Sequence, residues 1–131
     1  MEFPRNSFDA VCAIGSTVYA PSFKKIYEQA YRILKSGGIF AANEWVMTDK
    51  YDESNPVDSA IRLGIERGNG IPSMMTRKHA LEAIQAAGFT SEHAEDQGAM
   101  EDQIPWYAPP AVKFPIGRFW NLSTFRATKF G

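Results

Sequence analysis

Apolar and polar positions near the start of the chain alternate in a way that predicts a strand, a helix and a second strand. The run FDAVCAI, residues 8–14, is short and apolar and lies between turn residues, which predicts a strand buried on both faces. In residues 22–35 apolar side chains recur every three or four positions, which predicts an amphipathic helix with Lys35 in its last turn and a glycine cap just beyond. The run GIFAANEW, residues 38–45, predicts the second strand. A helix between two such strands implies a parallel pair with a right-handed crossover.

The more polar segments that follow predict two further helices and one weaker strand. Asn55 is a suitable N-cap for a helix that Gly68 ends, and Thr76 is a suitable N-cap for a helix with an apolar stripe that also ends at a glycine. The segment FTSEHAED, residues 89–96, predicts a third strand, although few of its residues are apolar. The aromatic segment FWNLSTFRATKF, residues 119–130, predicts the start of another helix.

Composition and charge exclude several classes of protein. The net charge is −1 and the basic residues are scattered, so we expect no nucleic-acid partner. No apolar run reaches the roughly 20 residues of a membrane-spanning helix, and the segment MEFPRNSFD has no apolar signal core, so we expect a cytoplasmic domain. Cys12, the single cysteine, excludes an internal disulfide and is expected to be buried in the first strand. His79 and His93 do not have the spacing of a metal-binding pair, so we expect no metal site.

Polar and aromatic side chains follow both predicted parallel strands. The loop AIGSTVYAP, residues 13–21, follows the first strand, and NEWVMTDKY, residues 43–51, follows the second. Ligands of open α/β sheets bind outside the carboxyl ends of the strands, so these loops predict a pocket that contains Glu44 and Trp45. The alternative is an ordinary sheet rim, at which Glu44 forms a surface ion pair and Asp49 caps a turn. The residues alone leave these two interpretations equally open.

Five segments, in their order and spacing, resemble the central part of the sterol 24-C-methyltransferase family, within the class I S-adenosylmethionine-dependent methyltransferases; they are FDAVCAI, LKSGG, NEWVMTDKYD, IERGNGIP and QIPWY. The resemblance covers nearly the whole chain and implies an α/β fold, namely a partial Rossmann-like sheet with strands 4 to 6 of the family and flanking helices. It implies that residues 1–96 form the C-terminal half of that domain and that residues 97–131 begin the sterol methyltransferase C-terminal region. The N-terminal cofactor-binding half has no counterpart in this sequence, so we expect the isolated chain to be inactive.

The same resemblance implies a cofactor, a reaction and a set of site residues. The cofactor is S-adenosylmethionine, with Ala13, Ile14 and Gly15 beside it at the end of the first strand. The reaction transfers a methyl group to a carbon–carbon double bond of a sterol side chain, which leaves a carbocation and later a proton to be removed. Glu44 and Tyr19 are the catalytic candidates, because a carboxylate accepts a proton and an aromatic face stabilises a cation. The residues implied for substrate binding are Trp45, Asp49, Tyr51, Asn69, Trp106 and Tyr107.

Four positions depart from the family pattern and bear on substrate choice. The family has an acidic residue, a histidine, a tyrosine and an aspartate at the positions that here hold, in that order, Gly15, Tyr19, Asn43 and Asn69. These differences remove polar and titratable groups from the implied substrate pocket. Two alternatives to sterol methylation follow, namely a methyltransferase for another small acceptor and a non-catalytic partner of a full-length relative. Trp45 and Trp106 also fit a simpler role as core or pocket walls.

The resemblance also implies partners and a location. The substrate is a sterol or a related isoprenoid lipid, with peripheral membrane contact and a homo-oligomer as open alternatives for further partners. Enzymes of this kind associate with the endoplasmic reticulum or lipid droplets without a spanning helix. Aromatic residues make up 13% of the chain and concentrate in its last third. That third is expected either to contact a bilayer surface or to pack on another segment.

Overall fold

Residues 2–96 and 120–130, which the computed structural model describes, form one four-stranded mixed sheet and three α-helices. Two of the helices, the first and the third, contact each other. The elements in chain order are β1 (Phe8–Ile14), a 3₁₀ turn (Thr17–Tyr19), α1 (Phe23–Ile33), β2 (Leu34–Met47), α2 (Pro56–Asn69), α3 (Arg77–Ala86), β3 (Thr90–Asp96) and β4 (Trp120–Thr128).

The strand order in the sheet is β1-β2-β4-β3. The β1–β2 pair is parallel, as the strand–helix–strand pattern predicts, whereas β4 is antiparallel to both of its neighbours. The prediction of a helix over residues 119–130 is therefore wrong. Ser123, Phe125 and Ala127 are buried and Arg126 between the last two is exposed, which is the two-residue period of a strand with one face on a core. The proposed division of the chain at residue 96 would place β4 in a second unit although it pairs within this sheet.

The core lies between the sheet and the contacting pair of helices, α1 and α3. Phe40 of β2 is at its centre: its ring meets Tyr27 of α1 edge-on with centroids 5.4 Å apart and stacks on Phe89 at 5.2 Å. Phe125 of β4 and Ile84 of α3 are both fully buried beside it. Aromatic contacts of this kind add about 0.5–1.5 kcal/mol each beyond the apolar area that they bury. The hydrophobic stripe of α1 therefore packs as the sequence predicts.

The first strand is less buried than its sequence suggests. Residues 11–13 line a cavity of about 220 Å³ that α1 also lines, yet Cys12 is exposed and Ile14 is 77% exposed. The predictions that β1 is buried on both faces and that Cys12 is a buried packing residue are both wrong. The reason is that β1 is at the edge of the sheet formed by the described strands, and its alternate residues face away from α1.

The end of α1 also differs from the sequence-based expectation. The helix ends at Ile33, and the next residue, Leu34, is extended (φ −74°, ψ 141°) and starts β2, where it is fully buried. Lys35 therefore lies in a strand and not in the last helical turn, and its Nζ is 2.7 Å from Asp9 of the neighbouring strand. Gly37 has a positive φ of 78° within β2 and does not cap the helix. Burial of Leu34 in the sheet therefore determines where α1 ends.

The other two helices begin where the sequence predicts. The Asn55 side chain accepts a hydrogen bond from the backbone N–H of Val57, and Thr76 does the same for His79. Gly68 lies within α2, and Gly70, with φ 66°, is the left-handed residue that ends it. No helix in the described parts of the chain is both long enough and apolar enough to cross a membrane.

Candidate functional site

The carboxyl ends of β1 and β2 meet at one rim of the sheet. Ile14 is in register with Asn43, and the backbone N–H of Gly15 donates to the carbonyl of Asn43 at 2.7 Å. Gly15 and Glu44 are therefore on the same side of the molecule, as the parallel pairing predicts. The loop that carries the 3₁₀ turn lies next to the last residues of β2.

Glu44 lies inside β2 on the face that α1 covers, and none of it is exposed. The hydroxyl of Thr17, in the 3₁₀ turn, donates a hydrogen bond to Oε1 of Glu44. The hydroxyl of Tyr27 in α1 approaches the same oxygen at 3.3 Å. The other oxygen, Oε2, has no hydrogen-bond partner among the residues that the structure describes. The alternative of a surface ion pair for Glu44 is therefore wrong, because the carboxyl is buried and has no cation beside it within residues 2–96 and 120–130.

Burial dominates the protonation chemistry of this cluster. Loss of water raises the pKa of Glu44 from 4.5 to about 7, although the hydrogen bonds from Thr17 and Tyr27 lower it in part. Burial also raises the pKa of Tyr27, and the neighbouring Glu44 raises it further. Tyr27 therefore remains a protonated donor, whereas Glu44 is divided between its acid and carboxylate forms near neutral pH. A carboxyl with these properties can both accept and release a proton.

Gly15 is constrained by its neighbour across the strand pair. Its φ is 56°, and a Cβ atom at this position would lie 3.1 Å from Nε1 of Trp45. The end of β1 thus presents the Gly15 backbone, the half-buried Ala13 and the exposed Ile14. This surface fits one wall of a site for a partly apolar ligand such as S-adenosylmethionine. It carries no charged side chain for the amino-acid end of that molecule.

A larger cavity of about 410 Å³ lies between α2, α3 and the loop after β2, within the volume range of small-molecule sites. Tyr51 lines it together with Met74 and Met75, and the guanidinium of Arg62 is 5.8 Å from the centroid of the Tyr51 ring. The hydroxyl of Tyr51 is buried and has no hydrogen-bond partner in the described part of the chain. The cavity therefore combines an apolar part, formed by Met74 and Met75, with polar and charged side chains that include Lys24, Glu53 and His79.

Two of the residues implied for substrate binding have local roles in the structure. Asp49 is 77% exposed, and its carboxylate is 3.5 Å from Arg77 of α3. Asn69 is exposed at the end of α2, where its side-chain amide donates to the carbonyl of Ile65 at 2.9 Å. Neither residue contacts Glu44. The alternative that Asp49 caps a turn is not what the structure shows, because its partner is an arginine.

Tyr19, the second catalytic candidate from the sequence, lies apart from the Glu44 carboxyl. It is 53% exposed in the 3₁₀ turn and makes no hydrogen bond to Glu44. The residues that do contact Glu44 are Thr17 and Tyr27, which sequence reasoning did not propose for the site. A signal for Tyr27 was present, because a tyrosine in the buried stripe of a helix needs a partner for its hydroxyl. Trp106 and Tyr107 lie outside the described residues.

Comparison with known proteins shows that this chain is similar to methyltransferases. The family described as "Methyltransferase domain" matches residues 1–42. The sterol 24-C-methyltransferase of Yarrowia lipolytica is 51% identical over 111 residues, which are 85% of this chain and 29% of that protein. The sterol 24-C-methyltransferase of Candida albicans is 45% identical over 133 residues, which are 100% of this chain and 35% of that protein. The chain therefore spans about a third of the length of these curated relatives.

A solved structure shares the fold. The geranyl diphosphate C-methyltransferase of Streptomyces coelicolor A3(2), determined with Mg²⁺, geranyl diphosphate and S-adenosyl-L-homocysteine, superposes with a TM-score of 0.76 at 15% identity. The match covers 98% of this chain and 49% of that one. The mixed sheet is thus part of a class I methyltransferase fold.

Proposed function

Because this chain belongs by its sequence to the S-adenosylmethionine-dependent sterol 24-C-methyltransferase family and spans about a third of its relatives' length, we propose that its Glu44 site serves methyl transfer to a sterol or a related isoprenoid lipid. In this proposal residues 1–96 supply the C-terminal half of the catalytic domain, and residues 97–131 add β4 to its sheet and begin the sterol methyltransferase C-terminal region. The lipid acceptor implies work at a membrane or lipid-droplet surface. The proposal concerns the protein completed by the rest of the family's catalytic domain.

The cofactor wall in this proposal is the end of β1. Ile14 would contact an apolar part of S-adenosylmethionine, and the backbone of Gly15 would allow close approach because it has no side chain. When bound, the cofactor supplies an electrophilic methyl group. Glycine at this position also prevents a side chain from displacing Trp45, which lies directly across the strand pair.

Glu44 is the proposed proton acceptor. Addition of a methyl group to an alkene leaves a carbocation on the acceptor, and a proton must leave the neighbouring carbon to complete the reaction. A carboxyl with a pKa of about 7 takes up and releases this proton near neutral pH with little thermodynamic cost. Its Oε1 is held by Thr17 and Tyr27, so its Oε2 is the atom proposed to receive the proton.

The part of the acceptor that is remote from its reacting double bond is proposed to occupy the cavity beside Tyr51, because Glu44 does not line that cavity. Met74 and Met75 provide apolar wall, and the Tyr51 hydroxyl, which has no hydrogen-bond partner in the described residues, is one polar group that a neutral ligand oxygen would meet. Trp45 and Tyr19 are proposed as aromatic faces toward the cationic acceptor, a contact worth about 0.5–2 kcal/mol each. Asp49, Asn69, Trp106 and Tyr107 remain proposed substrate contacts.

The observation that carries the proposal is the fully buried Glu44 carboxyl with one oxygen unpartnered at the rim where two parallel strands end. The test is a chimera in which this chain replaces the matching third of the Yarrowia lipolytica relative. We expect it to transfer a labelled methyl group from S-adenosylmethionine to a Δ24 sterol, with a loss of about 100-fold or more in Glu44→Gln and a smaller loss in Glu44→Asp. A chimera that binds both substrates and keeps full turnover as Glu44→Gln would refute the assignment. The isolated chain is expected to show no saturable binding of S-adenosylmethionine by calorimetry.

A second candidate function rests on the edge strand. Ile14 is 77% exposed and Cys12 is exposed on β1, whose outer edge has no strand paired to it in the described residues. Such an edge is able to pair with another chain. The corresponding function is non-catalytic binding to a full-length relative. Sedimentation of this chain with the complete Yarrowia lipolytica enzyme distinguishes a mixed complex, which would favour this function, from two independent species, which would exclude it.

A further inference from the structure

The buried carboxyl of Glu44 needs a path by which a proton can reach it. Glu44 has no exposed surface, and it is not among the residues that line either the 410 Å³ or the 220 Å³ cavity. Within residues 2–96 and 120–130, two side chains contact the carboxyl with a hydroxyl group, namely Thr17 and Tyr27. A proton that enters or leaves without unfolding of the surrounding structure therefore has two candidate carriers among the described residues.

The two hydroxyl groups differ in what lies on their other side. Thr17 lines the 220 Å³ cavity between β1 and α1, together with Ser16 and Ala20 of the same loop. Tyr27 is completely buried, its ring packs edge-on against Phe40, and it lines neither cavity. Of the two hydroxyl-bearing residues, Thr17 is therefore the one that borders a space large enough for water.

We infer that Thr17 is a proton relay, whose hydroxyl carries protons between the 220 Å³ cavity and the Glu44 carboxyl, and that Tyr27 only positions that carboxyl. This inference deepens the proposed function and rests on Glu44 as its proton acceptor. It adds a residue that acts after methyl transfer, when the proton taken from the acceptor has to be passed on to water.

The relay step balances without any further reactant. In the uptake direction Thr17 Oγ1 passes its own proton to Glu44 Oε1 and takes one from a hydronium ion in the cavity, so that a water molecule is left behind. One O–H bond forms at Glu44, one is broken and one re-formed at Thr17, and one breaks in the hydronium ion. In the release direction the carboxyl, protonated at Oε2, rotates so that its O–H faces Thr17; Thr17 Oγ1 takes this proton and gives its own proton to water. A hydroxyl can do both because it donates one hydrogen bond and accepts two.

Proton exchange at Glu44 can be measured by itself, because no second group that titrates near neutral pH contacts the carboxyl in the described residues. Tyr27 is the only titratable group in contact with Glu44 among the described residues, and its raised pKa keeps it protonated throughout the titration of the carboxyl. A change in the rate of proton exchange at Glu44 can therefore be assigned to the path and not to a second titrating neighbour.

The test is carbon-13 NMR of the Glu44 side-chain carboxyl in the isolated chain, titrated through pH 7 without cofactor or lipid. We expect Thr17→Val, which keeps the shape but removes the hydroxyl, to slow exchange between the acid and carboxylate forms by about 100-fold, the lower end of what a positioned proton-transfer group contributes. One averaged resonance would then become two separate resonances. Thr17→Ser, which keeps a hydroxyl, is the matched control and should restore the averaged resonance.

Two further variants separate a relay from a merely structural hydrogen bond. Tyr27→Phe removes the other hydroxyl and is expected to raise the titration midpoint without slowing exchange. Ala20→Val places a larger side chain in the cavity, leaves the Thr17 hydrogen bond intact, and is expected to slow exchange without moving the midpoint. Ala20 has an extended backbone (φ −79°, ψ 143°) and precedes a proline, which suits valine, so this variant keeps the test available if Thr17→Val does not fold.

The exchange rates in the two valine variants decide between a relay and a structural hydrogen bond. Slow exchange in both Thr17→Val and Ala20→Val supports the relay. Unchanged exchange in Thr17→Val overturns it, and so does a moved midpoint with unchanged exchange, because Thr17 would then only tune the carboxyl. These results are independent of methylation, so loss of sterol turnover in the chimera alone would overturn the proposed function and leave the relay to be judged by NMR.

Discussion

Replacement of Glu44 by glutamine is expected to make the protein more stable above neutral pH. Glutamine has nearly the same shape and keeps a carbonyl oxygen that accepts from Thr17 and Tyr27, but it carries no charge. A raised carboxyl pKa means that the folded protein binds the proton more tightly than the unfolded chain does. The stability contributed by the protonated Glu44 is therefore complete below about pH 4.5 and is lost as the pH rises to about 7 and above.

The magnitude follows from the two pKa values. A rise from 4.5 to about 7 corresponds to about 3 kcal/mol of folding free energy that the wild-type chain loses between acid and alkaline pH. Between pH 5 and pH 8 the expected loss is about 2–3 kcal/mol, which is roughly 10 °C in melting temperature for a domain of this size. Glu44→Gln should match the wild type near pH 5 and exceed it by this amount at pH 8.

The assay is urea unfolding of both proteins at several pH values from 5 to 8, followed by circular dichroism. All other titratable groups are common to the two proteins, so the difference between their curves isolates Glu44. Glu66→Gln is a matched control, because Glu66 is also buried but accepts a hydrogen bond from the backbone of Met74 and pairs with Arg62. This control shows how much of any change comes from replacing a buried carboxylate in general. Parallel curves for the wild type and Glu44→Gln would refute the reasoning, since they would mean that the carboxyl is not protonated by burial.

Three further substitutions test the packing around the site. Gly15→Ala should destabilise the fold by about 1–2 kcal/mol, because φ is 56° and the new Cβ would lie 3.1 Å from Trp45. Urea unfolding measures this loss, and an unchanged urea midpoint would contradict the left-handed conformation of Gly15. Phe40→Ala should lower the free energy of unfolding by about 3–5 kcal/mol, because it opens a cavity in the centre of the core. Thermal unfolding measures this loss, and a loss no larger than that of an exposed phenylalanine would contradict the packing. Lys35→Ala should change the free energy of unfolding by less than about 1 kcal/mol, although the ammonium group is 2.7 Å from Asp9, because both side chains are largely exposed. A larger loss in urea unfolding would contradict this expectation for an exposed ion pair.

The sequence allowed the helical half of the fold to be predicted and much of the sheet. The stripe of α1 and the N-caps Asn55 and Thr76 are local features, so a short window of sequence contains all the information that determines them. The parallel pairing of β1 and β2 followed from the helix between them. These predictions succeeded because each depends on neighbouring residues.

The errors concern properties that depend on distant residues. The burial of Cys12 could not be read from an apolar run, because the position of a strand at the edge or the centre of a sheet is decided by other strands. Residues 119–130 contain enough aromatic residues to suit a helix or a strand, and only pairing with β2 determines the choice. A short window of sequence has no access to that pairing.

The sequence predicted where the candidate site lies but not that its carboxyl is buried. Parallel strands placed Glu44 at the correct rim, but its complete burial depends on the side chains of Thr17 and Tyr27, which come from two other elements. The alternation of Phe40, Ala42, Glu44 and Val46 on one face of β2 does contain the signal, because the charged residue occupies a position in an otherwise apolar row. Reading that row to the end of β2 would have indicated a buried carboxyl.

The place of β4 between β2 and β3 has a consequence for the order in which the chain can assemble. On the ribosome, residues 90–96 emerge well before residues 120–128, yet among the strands that the structure describes β3 pairs only with β4. The nascent chain must therefore hold β3 unpaired, with its backbone groups satisfied by water, until the later strand arrives to bridge it to β2. We expect removal of residues 120–130 to release β3 from the sheet and to leave the β1–β2 pair with α1 as the remaining folded unit, a loss that hydrogen exchange would register along residues 90–96.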